Sequence, residues 1–291
     1  MKTKNYFLGV ILIIISQNLF SQNLFDCFGQ IPPKDSIQIF ASGIISQSGT
    51  KESGLAISPN GNELFFVRGE WPQTKIMHMI KFENGWSKPD TAQFSKDCWT
   101  TEPAFSSDGK YLYFSTSKGK SDISDYSLWR VERMKEGWSQ PVNIIDFPGD
   151  SIWEFHPSLT EDGLLCFCYW DAKKNSGDIY FSQCSQKGCV EPKSAGIPIN
   201  SKYSDIDPFI GKDGSYIIYA SNRPNGYGGL DQYITFKSNS GAWTAPKNLG
   251  PKFNSKEDNY DMDISPDGKY VFFYLNGDIY WMKNNIPATS L

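Results

Sequence analysis

Two sets of mostly ionisable side chains recur at fixed offsets from a tight turn, and they are where this chain of 291 residues could do chemistry. The turns are Asn60-Gly61, Asp108-Gly109, Asp162-Gly163, Asp213-Gly214 and Asp267-Gly268. Six residues before each Asn or Asp stand Gly54, Glu102, His156, Asp207 and Asp261; eight before stand Glu52, Thr100, Glu154, Asp205 and Asn259. On a strand, a spacing of two keeps both sets on one side, so together they are expected to line one opening with mostly acidic groups. Such an opening suits a cation, an amine or a polyhydroxylated ligand. The alternative is that these carboxylates cap backbone N–H groups between neighbouring repeats, the commoner use of repeated polar residues.

Aromatic residues surround the same positions. Trp99, Trp153, Tyr203 and Tyr260 precede the strands that carry the two sets, and Trp170 and Tyr227 fall in or beside connecting loops. Rings beside carboxylates can hold sugars, or they can be buried between elements. Pairs such as Glu154 with Asp205, or Glu102 with Asp207, could serve as acid and base on a glycosidic bond if about 5–9 Å apart. Of the two histidines, His156 falls at the opening and His78 away from it. No Cys/His metal spacing, nucleophile motif or glycine-rich phosphate loop is present, so no catalytic residue, metal or cofactor is assigned.

The elements that must position these groups repeat about every fifty residues, the range of propeller blades. Each unit opens with a short strand, makes the Asn-Gly or Asp-Gly turn, and continues as an apolar β-rich run: 63–67, 111–115, 164–168, 216–220 and 270–274. A third strand follows, and Gly85-Trp86-Ser87, Gly137-Trp138-Ser139 or Ala242-Trp243-Thr244 introduces the fourth. Four antiparallel strands per unit predict an all-β, five-bladed propeller. The Gly turns lie on one face. The other carries loops of unequal length at 70–74, 118–126, 171–177 and 223–229, where recognition is usually built. Asp178, Asp231 and Asp278 recur too regularly to be special and are read as turn-stabilising.

The fifth unit stops near Asn284 without a fourth strand, and the apolar stretch 37–45 has no other partner. Pairing the two closes the ring and leaves no long edge. Six blades would need a degenerate one hidden in the first fifty residues. The run Ser265-Pro266-Asp267-Gly268-Lys269-Tyr270-Val271-Phe272-Phe273 resembles the TolB-type, WD-repeat-like propeller repeat. The stretch from Ser221 to Asp231, continuing to Asn248-Leu249-Gly250 and Asn254-Ser255, resembles its variant in exported envelope proteins of Bacteroidetes-type bacteria. That resemblance covers nearly all of the chain after the leader. It implies a scaffold or recognition module, although neither a peptidoglycan-binding domain nor a hydrolase domain with a Gly-x-Ser-x-Gly elbow follows.

Lys2 and Lys4 precede an apolar stretch from Phe7 to Ile15 and a small residue at Ser21, a pattern that predicts a secretory leader over 1–21. Asp26 before Cys27 fits lipoprotein processing poorly. Residues 22–36 read as a linker and 37–291 as one propeller domain, with no transmembrane segment. Without the leader's two lysines the net charge moves from −4 to −6, against nucleic acid or an anionic membrane as partner. The six cysteines leave many pairings open; Cys184 and Cys189, flanking a short hairpin loop, are the attractive pair, whereas Cys166 and Cys168 read as core residues. The expectation is a monomer exported to periplasm or cell surface that binds an envelope protein or glycan through the long-loop face without catalysis. Its expected ligand groups are Glu52, Glu102, Glu154, His156, Asp205, Asp207, Asp261, Trp99, Trp153 and Tyr227. The alternative is a glycosidase or polysaccharide lyase acting at the channel mouth.

Overall fold

A computed structural model of the chain describes residues 28–34, 36–117, 126–145, 147 and 151–286. The leader, Cys27 and residues 118–125 of one long loop lie outside the described residues. The chain builds five small antiparallel sheets, the blades of a five-bladed propeller. Their innermost strands are Glu52–Ile57, Thr100–Phe105, Ile152–Leu159, Asp205–Ile210 and Met262–Ile264, for blades I to V in order.

The β-rich runs are continuously apolar because both faces of each sheet are covered. Leu64, Phe65, Phe66 and Val67 are no more than 1% exposed. Alternation sends Leu64 and Phe66 toward Tyr270, Phe272 and Trp281 of blade V, and Phe65 and Val67 toward Leu112, Phe114 and Val131 of blade II. The same pattern recurs around the ring, so the core consists of five layers between blades. Truncating one of these rings, as in Phe66→Ala, costs about 3–5 kcal/mol.

The turns repeat in detail. In blade II the Ser106 hydroxyl donates to Asp108 Oδ1 at 2.7 Å and the Lys110 N–H to the same oxygen at 3.0 Å, while Gly109 takes a φ of 68° that a side chain would resist. Blade V repeats this with Ser265, Asp267 and Lys269. The Ser106 hydroxyl holds the Asp108 carboxyl below the usual range.

Closure joins the two ends of the chain: Gln38 pairs with Trp281 and Ile39 with Tyr280, antiparallel. Only Gln38–Ile39 of the 37–45 stretch is strand. The chain then turns at Ala41, placing Phe40 and Ile45 fully inside the layer between blades V and I. Part of the stretch read as linker is docked as well: Phe28 stacks on Trp86 at 5.0 Å, and the Gln30 side-chain oxygen accepts the Ala41 N–H at 2.7 Å. The Gly-Trp segments prove to be short bridges beyond the turn, as in Gly85–Trp86, and the outermost pairing comes later, at Asp90–Thr91, Val142–Ile145, Lys193–Ser194 and Lys247–Asn248. Cys184 and Cys189 stand opposite each other in blade III and are joined by a disulfide.

Candidate functional site: an acidic ring on the propeller axis

The five residues six before the turns share one backbone geometry. Gly54, Glu102, His156, Asp207 and Asp261 all have φ between 49° and 56°. In blades I to IV the register of the inner strand shifts at this point, so one extra residue is inserted against the second strand. The bulge aims each residue at the axis. A side chain at Gly54 would also press on Val67 Cγ2 at 3.0 Å, and that blade contributes none.

The ring stitches the blades together. Asp261 Oδ2 accepts the Gly54 N–H at 2.9 Å, and Glu102 Oε2 accepts the His156 N–H at 2.6 Å. The capping role is therefore present at two of the five steps. His156 Nδ1 lies 4.0 Å from Glu102 Oε1, 3.9 Å from Asp207 Oδ1 and 3.8 Å from Asp261 Oδ1. Asp263, two residues on, completes the cluster with His156 and Asp261.

Crowding four carboxyls around one imidazole shifts their protonation. Burial is the largest influence on Glu102, Asp207 and Asp263, and it raises all three, Asp263 to about 7; neighbouring carboxylates add to the rise, while His156 opposes it. Burial opposes charge on His156, but Asp207, Asp261 and Glu102 outweigh it and lift the imidazole to about 9.

The set eight before the turns is engaged mainly inside the protein, although Glu52 also borders the opening on the long-loop face. The extra residue reverses the alternation, and these side chains turn into the protein. Glu52 is fully buried and accepts from Arg68 Nε at 2.8 Å; Asp205 is fully buried and accepts from Arg223 and from the Ser201 N–H. Glu154 Oε1 accepts the Phe147 N–H at 3.1 Å, and Asn259 accepts the Ser255 N–H at 2.6 Å. Each fixes the connection leading into its own blade. His78 lies outside the opening, bonded to Glu63 at 2.6 Å and stacked on Phe65.

On the long-loop face the channel opens into a cavity of about 390 Å³, bordered by Glu102, Asp207, Asp261, Trp71, Tyr260 and Tyr274 among others. Trp71 was missed by sequence reasoning. It is 44% exposed and lies 4.7 Å from the Tyr126 ring and 5.6 Å from that of Phe155. Trp153 is half-buried behind it. Trp99 and Tyr227 do not border the cavity. Trp99 is half-buried, while Tyr227 is exposed on a loop folded by Asp231, whose Oδ2 accepts the Tyr227 N–H at 2.6 Å. On the opposite face the channel ends in a more apolar cavity of about 360 Å³, reached by Ala56, Ala104, Ser158, Phe209 and Asp263. Asp263 occupies the position that the other blades fill with small or apolar residues, and so it carried no repeat signal.

Fold and site together define a five-bladed β-propeller with an acidic axial ring. No protein-family model matches the chain, and no curated protein matches it in sequence. Among solved structures it is similar to TolB from Acinetobacter baumannii, at 16% identity and a TM-score of 0.51, over 83% of this chain and 56% of that one. It is also similar to an endo-arabinase from Bacteroides thetaiotaomicron, at 14% identity and a TM-score of 0.54, over 89% of this chain and 99% of that one. At these identities the likeness is one of fold, and the chain spans little more than half the length of TolB. Among the described residues no helix is long and apolar enough to cross a membrane.

Proposed function

We propose that this propeller is a non-catalytic recognition module that binds a glycan at the mouth of its channel, on the long-loop face. The observation that carries the proposal is the exposed Trp71 ring beside a cavity with aromatic walls, Tyr260 and Tyr274, and an acidic floor. Aromatic faces suit the apolar face of a sugar ring, and carboxylates suit its hydroxyls. Catalysis is disfavoured by how the floor is built. Glu102 and Asp261 each spend an oxygen on the backbone of the next blade, and with Asp207 they crowd within about 4 Å of His156. A glycosidase instead needs two carboxyls roughly 5–9 Å apart across a scissile bond.

The leader-like N-terminus and the Cys184–Cys189 disulfide support export to an oxidising compartment, periplasm or cell surface. A repeat of the TolB-type envelope variant fits the same location, and the chain acts as a monomer. The test is affinity electrophoresis of the purified mature protein through gels containing bacterial envelope and plant cell-wall polysaccharides. Retardation by one of them, abolished by Trp71→Ala, is the expected result. Equal migration of wild type and Trp71→Ala in every gel, with capture of an envelope protein instead, removes the glycan reading.

A further inference from the structure

The axial cluster has a feature that blade stitching leaves unexplained. The Asp261 side chain is only 8% exposed, yet its Oδ1 accepts no hydrogen bond and faces His156 Nδ1 at 3.8 Å. The contacts of that nitrogen with Glu102 and Asp207, at 4.0 and 3.9 Å, are likewise too long for hydrogen bonds. Two triads, Glu102–His156–Asp207 and His156–Asp261–Asp263, hold their donor atoms within 4.8 Å of one another, and they share the imidazole. Within either triad, atoms spaced in this way match ligands that each sit about 2.0–2.4 Å from one ion.

We infer that His156, Asp261 and their neighbouring carboxylates form a divalent-cation site on the propeller axis. One imidazole nitrogen among carboxylate oxygens suits Mn²⁺ or Zn²⁺ better than the all-oxygen preference of Mg²⁺ and Ca²⁺. Such an ion offsets the acidic excess and ties His156 of blade III to the carboxylates of one triad, those of blades II and IV or those of blade V; blade I, with Gly54, supplies no ligand. The ion reaches the site through the mouth cavity, which Glu102, Asp207 and Asp261 border. No compact metal-binding motif marks the site, because its ligands come from repeats about fifty residues apart and share only their offset from the turns.

The mature protein, stripped with EDTA and desalted, is titrated with MnCl₂, ZnCl₂ and CaCl₂ by calorimetry, and its melting temperature is followed. Binding of one Mn²⁺ or Zn²⁺ per chain is expected, with a rise of several degrees in Tm at large excess over Kd and a loss of at least about tenfold in affinity in His156→Gln and Asp261→Asn. The surface variant Glu132→Gln should bind as the wild type does. X-ray absorption of the zinc-loaded wild type gives a readout that needs no variant: an imidazole in the coordination shell. Absence of stoichiometric binding, unchanged affinity in both site variants, or a shell without imidazole overturns the inference.

Discussion

Asp261 Oδ2 in the last blade accepts the backbone N–H of Gly54 in the first at 2.9 Å, joining residues 207 apart in sequence at the point where the ring must close. Closure thus includes contacts at different radii: this one on the axis, the Glu52 N–H donating to the Gly277 carbonyl at 2.9 Å, the apolar layer between blades V and I, and the two-residue strand pairing of Gln38–Ile39 with blade V at the rim. Asn at position 261 keeps an acceptor for Gly54, whereas Ala leaves that buried N–H unpaired. Both remove the charge. Asp261→Ala should therefore be less stable than Asp261→Asn by about 1–3 kcal/mol in urea unfolding, and equal stabilities would show that the contact does not hold the ring.

Stability should depend on pH through the same cluster. Asp263, with an ordinary value of 3.8, is lifted to about 7, and His156, ordinarily 6.5, to about 9; Glu102 and Asp207 are raised too. The folded protein therefore holds more protons than the unfolded chain from about pH 4 to pH 9, and stability contributed by these groups is lost as pH rises through that window. Melting temperatures in EDTA should decline from pH 5 to pH 9. His156→Gln together with Asp263→Asn should flatten the decline, and an unchanged slope would place the titrating groups elsewhere.

Two buried carboxylates paired with arginine should be far more sensitive than a surface Lys–Glu pair. Glu52 is fully buried against Arg68, and Asp205 against Arg223. Removing either arginine strands a buried charge, at a cost of about 3–5 kcal/mol. Lys51 and Glu70, by contrast, are 54% and 77% exposed, and Lys51→Ala should leave the denaturation midpoint essentially unchanged. Chemical denaturation of the three variants ranks them directly.

Thiol chemistry should separate the described cysteines into three groups. Cys98 is half-buried, Cys166 and Cys168 are at most 1% exposed, and Cys184 is bonded to Cys189. Burial also pushes the Cys166 and Cys168 thiols well up, away from the reactive thiolate. Alkylation of native protein followed by peptide mass spectrometry should label Cys98 first, Cys166 and Cys168 only on unfolding, and Cys184 and Cys189 only after reduction. Early labelling of Cys166 would contradict the packing between blades III and IV.

Much of the fold is legible in the sequence because it repeats. Five Gly turns and five apolar runs fix the blade count, and the unpartnered stretch near residue 40 points to the closing strand. Its register does not show, since only Gln38 and Ile39 pair and Phe40 turns inward. The ring positions 54, 102, 156, 207 and 261 follow from spacing alone. Which way Glu52, Glu154 and Asp205 face does not, because each inner strand changes its alternation at a residue with positive φ, and Glu, His or Asp there gives no compositional sign. Gly54 was the one available clue to that left-handed backbone. Trp71 and Asp263 escaped because neither recurs from blade to blade.

Recognition without cleavage is the central claim, and it is tested most directly with whichever polysaccharide retards the protein in affinity gels. Wild type is incubated with that polysaccharide at saturation, and new reducing ends and unsaturated products are measured alongside binding. Retention of the ligand with no product, and weaker binding in Trp71→Ala, is the expected result. Product that accumulates with wild type and disappears in Glu102→Gln would contradict it and make the axial carboxylates catalytic.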